Sequence, residues 1–311
     1  MVSYRFLSAL LLAVIFYAPM LVQAQSKLKV ELFEEGSIST TGNEFNPSFA
    51  ADGRTMYIVH SLPGFKESKI MTSRLEHGKW TVPARINFSD DHFRDSDPSI
   101  TPDGKTLFFI SNRPVDGGEV LKKDYDIWRA ELVNGVWSAP QPVKEVNSPQ
   151  MELGVEYVNG VLYFNSTSGG EATSSDIYYS TYKNGAFTAP INIGLPVNTP
   201  DFEADPVLSP DGKYLVFSGW GRADGFGQGD LYICRKEGEA WSAPVNLGDQ
   251  VNSKFFEFTP FFSHDGKDLF FCSDRYDDTQ PQSEDQVLNG KFNVYRVSVK
   301  ELMKNIALKS L

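Results

Sequence analysis

The sequence predicts an all-β fold: a five-bladed β-propeller of four-stranded blades, with the last blade closed by a strand from the N-terminus. Three observations carry this expectation. One pattern occurs five times: EFNPSFAADGRTMYIVHS from Glu44, DSDPSITPDGKTLFFIS from Asp95, ELGVEYVNGVLYFNS from Glu152, EADPVLSPDGKYLVFS from Glu203 and EFTPFFSHDGKDLFFCS from Glu257. Its turn glycines, Gly53, Gly104, Gly160, Gly212 and Gly266, lie 51, 56, 52 and 54 residues apart, and self-similarity at a period near fifty marks a repeat architecture. Each copy places Asp-Gly or Asn-Gly between two apolar runs, the pair that tolerates the positive φ of a tight hairpin. Those turn aspartates are therefore assigned to turn chemistry and not to catalysis.

In chain order, residues 1–24 read as a signal peptide. Arg5 supplies the positive start, residues 6–17 an apolar run, and Val22-Gln23-Ala24 small residues at a cleavage point. Cleavage after Ala24 is expected, with an uncleaved anchor as the alternative. No other stretch is long enough to span a membrane. Residues 25–299 are the propeller, beginning with the strand LKVELF at 28–33. Each full unit then shows four strands. The third starts at Lys69, Asp126, Asp176, Asp230 and Asn293. A second hairpin turns at His77-Gly78, Asn134-Gly135, Asn184-Gly185 and Glu237-Gly238. The fourth strand carries Trp80 with Pro83, Trp137 with Pro140, Phe187 with Pro190 and Trp241 with Pro244; proline suits an edge strand, where its missing N–H is not needed. The fifth unit has no fourth strand, so 28–33 is expected to complete it and close the ring. Residues 300–311 read as a short helical tail.

The units resemble the WD40-like (PD40) repeats of TolB-type propellers. The matching residues are the acid-x-x-Pro start, the turn Ser209-Pro210-Asp211-Gly212-Lys213, Ser111-Asn112-Arg113 and Ser273-Asp274-Arg275 after second strands, and Asp176-Ile177-Tyr178. The Trp-Ser-Ala-Pro segment at 241–244 and Val197-Asn198-Thr199 resemble a version found in exported bacterial envelope proteins. The resemblance covers nearly all of 28–299 and implies the fold. It is weak for function, because such repeats serve envelope scaffolds, peptidase accessory domains and polysaccharide-acting proteins alike. TolB's extra N-terminal domain is not expected in this chain, and its partners are not carried over.

Net charge is −11, and −12 once Arg5 leaves with the signal peptide. Such a surface argues against nucleic acid and anionic lipid as partners. Cys234 and Cys272 could pair in an exported protein or remain two buried thiols. The four histidines, His60, His77, His92 and His264, are scattered through different structural roles, and neither a Gly-x-Ser-x-Gly elbow nor a metal-binding histidine motif is present.

Candidate binding residues follow from the repeat. One acid opens each unit: Glu44, Asp95, Glu152, Glu203 and Glu257. In a closed ring they occupy equivalent places, either as a ligand or cation site near the axis or as partners of arginine and backbone N–H groups. Arg113, Arg222 and Arg275 follow second strands, as intrablade charge partners or as a rim for carboxylates and sugars. Trp220 opens the glycine-rich loop 219–229 and could stack on sugar or peptide, or pack on its neighbour. Loops 89–97 and 276–291 are acidic enough for loose calcium binding but lack the spacing of a calcium-binding hand; no other cofactor is expected. The sequence therefore reads as an exported, periplasmic or secreted, monomeric propeller that binds an envelope protein or peptide through one face. The alternative is a carbohydrate-active enzyme, hydrolase or lyase, or a glycan binder. No catalytic set is evident, and the balance is against an enzyme.

Overall fold

The structure, a computed structural model, describes residues 28–167, 174–279 and 281–309, with side chains to residue 306. The expected signal peptide at 1–24 lies outside the described residues.

Strand β1 (Val30–Leu32) belongs to the last blade. Blade one is β2 (Glu44–Phe49), β3 (Thr55–Leu62), β4 (Lys66–Glu76), β5 (Lys79–Trp80) and β6 (Ala84–Arg85). Blade two is β7 (Asp95–Ile100), β8 (Thr106–Ser111), β9 (Asp126–Val133), β10 (Val136–Trp137) and β11 (Gln141–Pro142). Blade three is β12 (Glu152–Val158), β13 (Val161–Ser166), β14 (Asp176–Lys183), β15 (Ala186–Phe187) and β16 (Ile191–Asn192). Blade four is β17 (Phe202–Leu208), β18 (Tyr214–Trp220), β19 (Asp230–Glu237), β20 (Ala240–Trp241) and β21 (Val245–Asn246). Blade five is β22 (Glu257–Phe262), β23 (Asp268–Ser273) and β24 (Asn293–Ser298), followed by helix α1 (Val299–Lys309). The sheet order β1-β24-β23-β22 shows the expected closure, with Val30 opposite Val297 and Leu32 opposite Tyr295.

In blades one to four the outer strand is broken in two, and both halves pair with the third strand. The repeated hydroxyl before the proline explains the break. Thr81, Ser138, Thr188 and Ser242 accept the third-strand N–H of Arg74, Glu131, Thr181 and Arg235 at 3.0, 3.0, 3.1 and 2.9 Å. A side-chain oxygen thus takes the donor that the interrupted ladder would leave unpaired.

Among the described residues the apolar core divides into five buried clusters, one at each blade interface. The outer-strand Trp80, Trp137, Phe187 and Trp241 each cover the interface with the preceding blade. The C-terminal segment packs into this scheme. Leu302 and Ile306 are buried in the cluster between blades four and five, with Val299 and Met303 beside them, the spacing of one helix face. Cys234 and Cys272 are free and buried, so the structure adopts the buried-thiol alternative and not the disulfide. Among the described residues no helix is long and apolar enough to cross a membrane.

The feature that shapes the site is a bulge in every innermost strand. Register shifts fall between Phe45 and Ser48, Ser96 and Ser99, Leu153 and Glu156, Ala204 and Val207, and Phe258 and Phe261. Each bulge contains a residue with positive φ: Asn46, Asp97, Gly154, Asp205 and Thr259. Proline follows in four of the five, and a residue without an N–H fits where the ladder is broken. Positive φ at a β-branched residue such as Thr259 is uncommon and costs on the order of 1–3 kcal/mol, so the surrounding structure must hold it.

Candidate functional site

The five repeated acids are buried, at 0–1% exposure, and each is tied by hydrogen bonds or an ion pair. The linker before each blade explains how. In the Val-Asn-Ser/Thr segments, Asn147, Asn198 and Asn252 bond both the N–H and the C=O of Ile127, Ile177 and Leu231, adding a strand-like contact to the preceding blade. The next residue, Ser148, Thr199 or Ser253, donates its hydroxyl to Glu152, Glu203 or Glu257 at 2.5, 2.6 and 2.7 Å. Thr40 does the same for Glu44 at 2.6 Å. Each carboxylate therefore pins the linker leaving one blade to the start of the next.

The arginines complete the pins. Arg113 pairs with Asp95, Arg222 with Glu203 at 2.6 Å and Arg275 with Glu257 at 3.0 Å. The three guanidiniums also lie over aromatic faces, Arg113 at 4.3 Å from Phe93 and Arg275 at 4.8 Å from Tyr295. Asp126 and Asp230, starts of third strands, take other partners, Lys122 and Asn246. The structure thus brings these acids and arginines together inside the blades, away from an open rim. Glu152, with no arginine, is pushed up to about 7 by its burial.

One residue further along each inner strand the chain faces the axis. Phe45, Ser96, Leu153, Ala204 and Phe258 line a cavity of about 270 Å³. It lies on the face that carries the linkers and the loops between second and third strands. Ring contacts form an arc around half of its wall. Phe202 meets Trp220 at 4.9 Å, Trp220 meets Phe256 at 5.2 Å, and Phe256 meets Phe258 at 4.9 Å; Phe258 lies 5.8 Å from Phe45, which lies 5.4 Å from Phe65. Trp220 is therefore part of a preformed wall at the end of β18, half-buried. Met151, Ile110 and Tyr125 are among the residues on the opposite side.

The floor of this funnel is the ring of bulge residues Asn46, Asp97, Asp205 and Thr259. These four also line a narrower passage of about 30 Å³, which Glu156 enters. The ring is knit across blades. Gly154 N donates to Asp97 Oδ2 at 2.7 Å and Thr259 N to Asp205 Oδ2 at 3.2 Å. Gly154 has no side chain to serve the next blade, and Asn165 Oδ1 accepts from Asp205 N at 3.2 Å instead. Asp97 also accepts from Asn46 and from Ser96 at 2.9 Å. Ser218 donates to Asp205 at 3.0 Å and Ser99 to Glu156 at 3.0 Å.

Among the described residues the lining of funnel and passage holds three carboxyls and no lysine, arginine or histidine. Burial pushes Glu156 up to about 8. Burial, with the neighbouring Asp97 charge, pushes Asp205 up to about 7, and burial raises Asp97 as well. Glu156 and Asp205 therefore keep their protons in the folded state well above the pH near 4 at which the unfolded chain releases them. Their stabilising contribution is complete below about pH 4 and is lost as pH rises through 7 to 8. Urea unfolding of the wild type is therefore expected to show a falling midpoint between about pH 5 and about pH 8.5. Glu156→Gln should flatten that fall, leaving the part due to the other raised carboxyls, among them Asp205, Asp97 and Glu152. An equal slope in the variant would show that Glu156 is not held neutral.

Sequence reasoning passed over Asp97, Asp205, Glu156 and Thr259. The available signal was the residue before each strand-one proline, or its equivalent in blade three. It changes from copy to copy, Asn, Asp, Gly, Asp and Thr, while the acid two places earlier is constant in charge. Among the described residues no group of three or more His, Cys, Asp or Glu is placed to hold a metal ion.

By its five sheets the chain is a five-bladed β-propeller. No family model matches it. A 196-residue stretch, 56% of the chain, is 25% identical to the uncharacterized peptidase YuxL of Bacillus subtilis (strain 168). The chain spans 29% of the length of that curated relative. Among solved structures it is similar to Bacteroides ovatus Xyloglucan PUL GH43B, with 16% identity, a TM-score of 0.50, and coverage of 87% of this chain and 54% of that one. It is also similar to TolB from Acinetobacter baumannii, with 17% identity, a TM-score of 0.48, and coverage of 83% and 55%. Likeness at these identities concerns the fold alone.

Proposed function

We propose that this protein is an exported binding module of a bacterial envelope, of the TolB-like PD40-repeat kind, and that it takes its partner in the axial funnel. The observation that carries this reading is the funnel itself: a preformed cup with an aromatic arc on one side and half-buried carboxyls in its floor. Concave apolar sites with a few convergent polar groups are the usual form of a binding site. The N-terminal segment and the envelope-type repeat motifs support export.

The test is in-cell crosslinking of the mature protein beside a Trp220→Ala, Phe65→Ala variant. Both residues are at least partly solvent-accessible, so folding is expected to survive. A specific envelope protein caught by the wild type should fall about tenfold in the variant, the effect of losing aromatic anchors. Capture that ignores the variant would remove the funnel from the reading.

A second reading has one observation in its favour. Asp97, Asp205 and Glu156 lie together beside an aromatic wall, and glycoside hydrolysis needs a pair of carboxyls flanking the scissile bond. Release of reducing ends from a polysaccharide panel, abolished by Asp205→Asn, would establish it.

A further inference from the structure

We propose that the funnel receives a lysine side chain of the partner protein, with its ammonium in the narrow passage and its stem along the aromatic arc. The inference rests on the reading of the funnel as the binding site and specifies what enters it.

Four observations carry it. The first is charge: among the described residues the lining contributes three carboxyls and no cationic side chain, and an ammonium beside Asp205 and Glu156 would favour their ionised forms against the burial that holds their protons. The second is unused hydrogen-bonding capacity. Asp205 Oδ2 and Glu156 Oε2 are taken by Ser218, Thr259 and Ser99, while Asp205 Oδ1 and Glu156 Oε1 accept nothing among the described residues. Thr259 is 4% exposed and lines both funnel and passage, and its hydroxyl meets only the thiol of Cys272. The thiol beside it, Cys272, is a weak partner at best. A hydroxyl held only by a thiol keeps accepting capacity for a donor arriving along the axis.

The third observation is size. The passage holds about 30 Å³, room for one or two water-sized groups. An ammonium is compact and carries three donors. A guanidinium is a broad planar fork, less suited than an ammonium to a space of this size, and a quaternary ammonium has no N–H to offer the two carboxyl oxygens and the hydroxyl. The fourth is the wall. A flexible four-carbon stem has apolar surface to bury, and the arc from Phe202 through Trp220, Phe256 and Phe258 to Phe45 and Phe65 supplies it, with ring faces that also attract a cation.

The probes are Nα-acetyl-lysine methylamide, its norleucine and arginine counterparts, and cadaverine, each titrated against the mature protein by saturation-transfer NMR. The lysine probe is expected to bind at least about tenfold tighter than the norleucine or arginine probe, and Asp205→Asn and Glu156→Gln should each weaken it by about tenfold. Equal binding of norleucine, or no effect of either variant on a folded protein, overturns the proposal. So does cadaverine binding without the lysine probe, which would assign the funnel to a free amine. If the lysine probe fails at millimolar concentration while the crosslinked partner is still lost in Trp220→Ala, Phe65→Ala, the lysine assignment falls and the binding reading stands. If the lysine probe binds but no envelope protein is caught, the assignment of the guest's chemistry stands and the envelope reading falls.

Discussion

Asp95→Ala is expected to lower the unfolding free energy by about 3–5 kcal/mol, because it breaks a buried ion pair and leaves one charge behind. Asp95 is fully buried and the Arg113 side chain is 8% exposed. The pair is bidentate, with Arg113 Nη1 on Asp95 Oδ1 and Nη2 on Oδ2 at 3.1 Å. Arg113 also donates to Phe88 O at 2.8 Å and to Ser111 Oγ at 2.7 Å. Those bonds keep the guanidinium in place after the carboxylate is gone, so the charge has no route to water. Urea unfolding beside the exposed turn variant Asp103→Ala measures the effect. A loss under about 1 kcal/mol would show that the pair does not act as a pin between linker and blade. Replacing both partners by apolar residues of similar volume should recover much of the loss, which separates the cost of a stranded charge from the worth of the bond.

Gly154→Ala should be as damaging, at about 3 kcal/mol or more, for a steric reason. A Cβ there would lie 2.8 Å from both Cα and N of Asp205 and 2.5 Å from Asn165 Oδ1, at a φ of +58°. Two of those contacts are backbone atoms of the next blade and cannot rotate away. The comparison is Gly160→Ala, in a hairpin turn with φ +82° and nothing within 4 Å of the added carbon. It carries only the conformational penalty, about 1–2 kcal/mol. If the two variants unfold at the same urea concentration, the close approach of blades three and four is not as described. If Gly154→Ala is the worse, the excess measures that contact, and Asp205 should shift its titration because its floor position is disturbed.

Both results concern how far a repeat can be read from its letters. The period, the Asp-Gly and Asn-Gly hairpins and the outer-strand proline are local features, and local sterics decides them. Gly53, Gly104, Gly160, Gly212 and Gly266 all have positive φ; Asn159-Gly160 forms a two-residue hairpin with both residues there, while the four Asp-Gly copies close four-residue loops in which the glycine carries it. The spare strand was legible too, since a fifth unit without a fourth strand leaves a sheet edge that 30–32 can fill. The Trp-Ser-Ala-Pro and Val-Asn-Ser/Thr segments were legible as markers, but their work was not. The hydroxyl that replaces a ladder bond, and the asparagine that docks on the previous blade, act on residues up to 21 positions away.

The site was harder for a definite physical reason. In a regular strand, residues two apart share a face, so Glu203 and Asp205 would be expected to point the same way. The bulge after Ala204 breaks that alternation. Glu203 turns into the blade against Arg222 and Thr199, and Asp205 turns to the axis. The same shift separates Asp95 from Asp97. The sequence by itself determined the number of blades, their strand order, the turns and the closure, because those follow from short-range pattern and from the need to pair every sheet edge. Only the tertiary structure decided which acids are pins and which face the channel, because that depends on neighbours from the next blade: Gly154 against Asp205, Asn165 in place of a missing side chain, and the Thr259 N–H on Asp205.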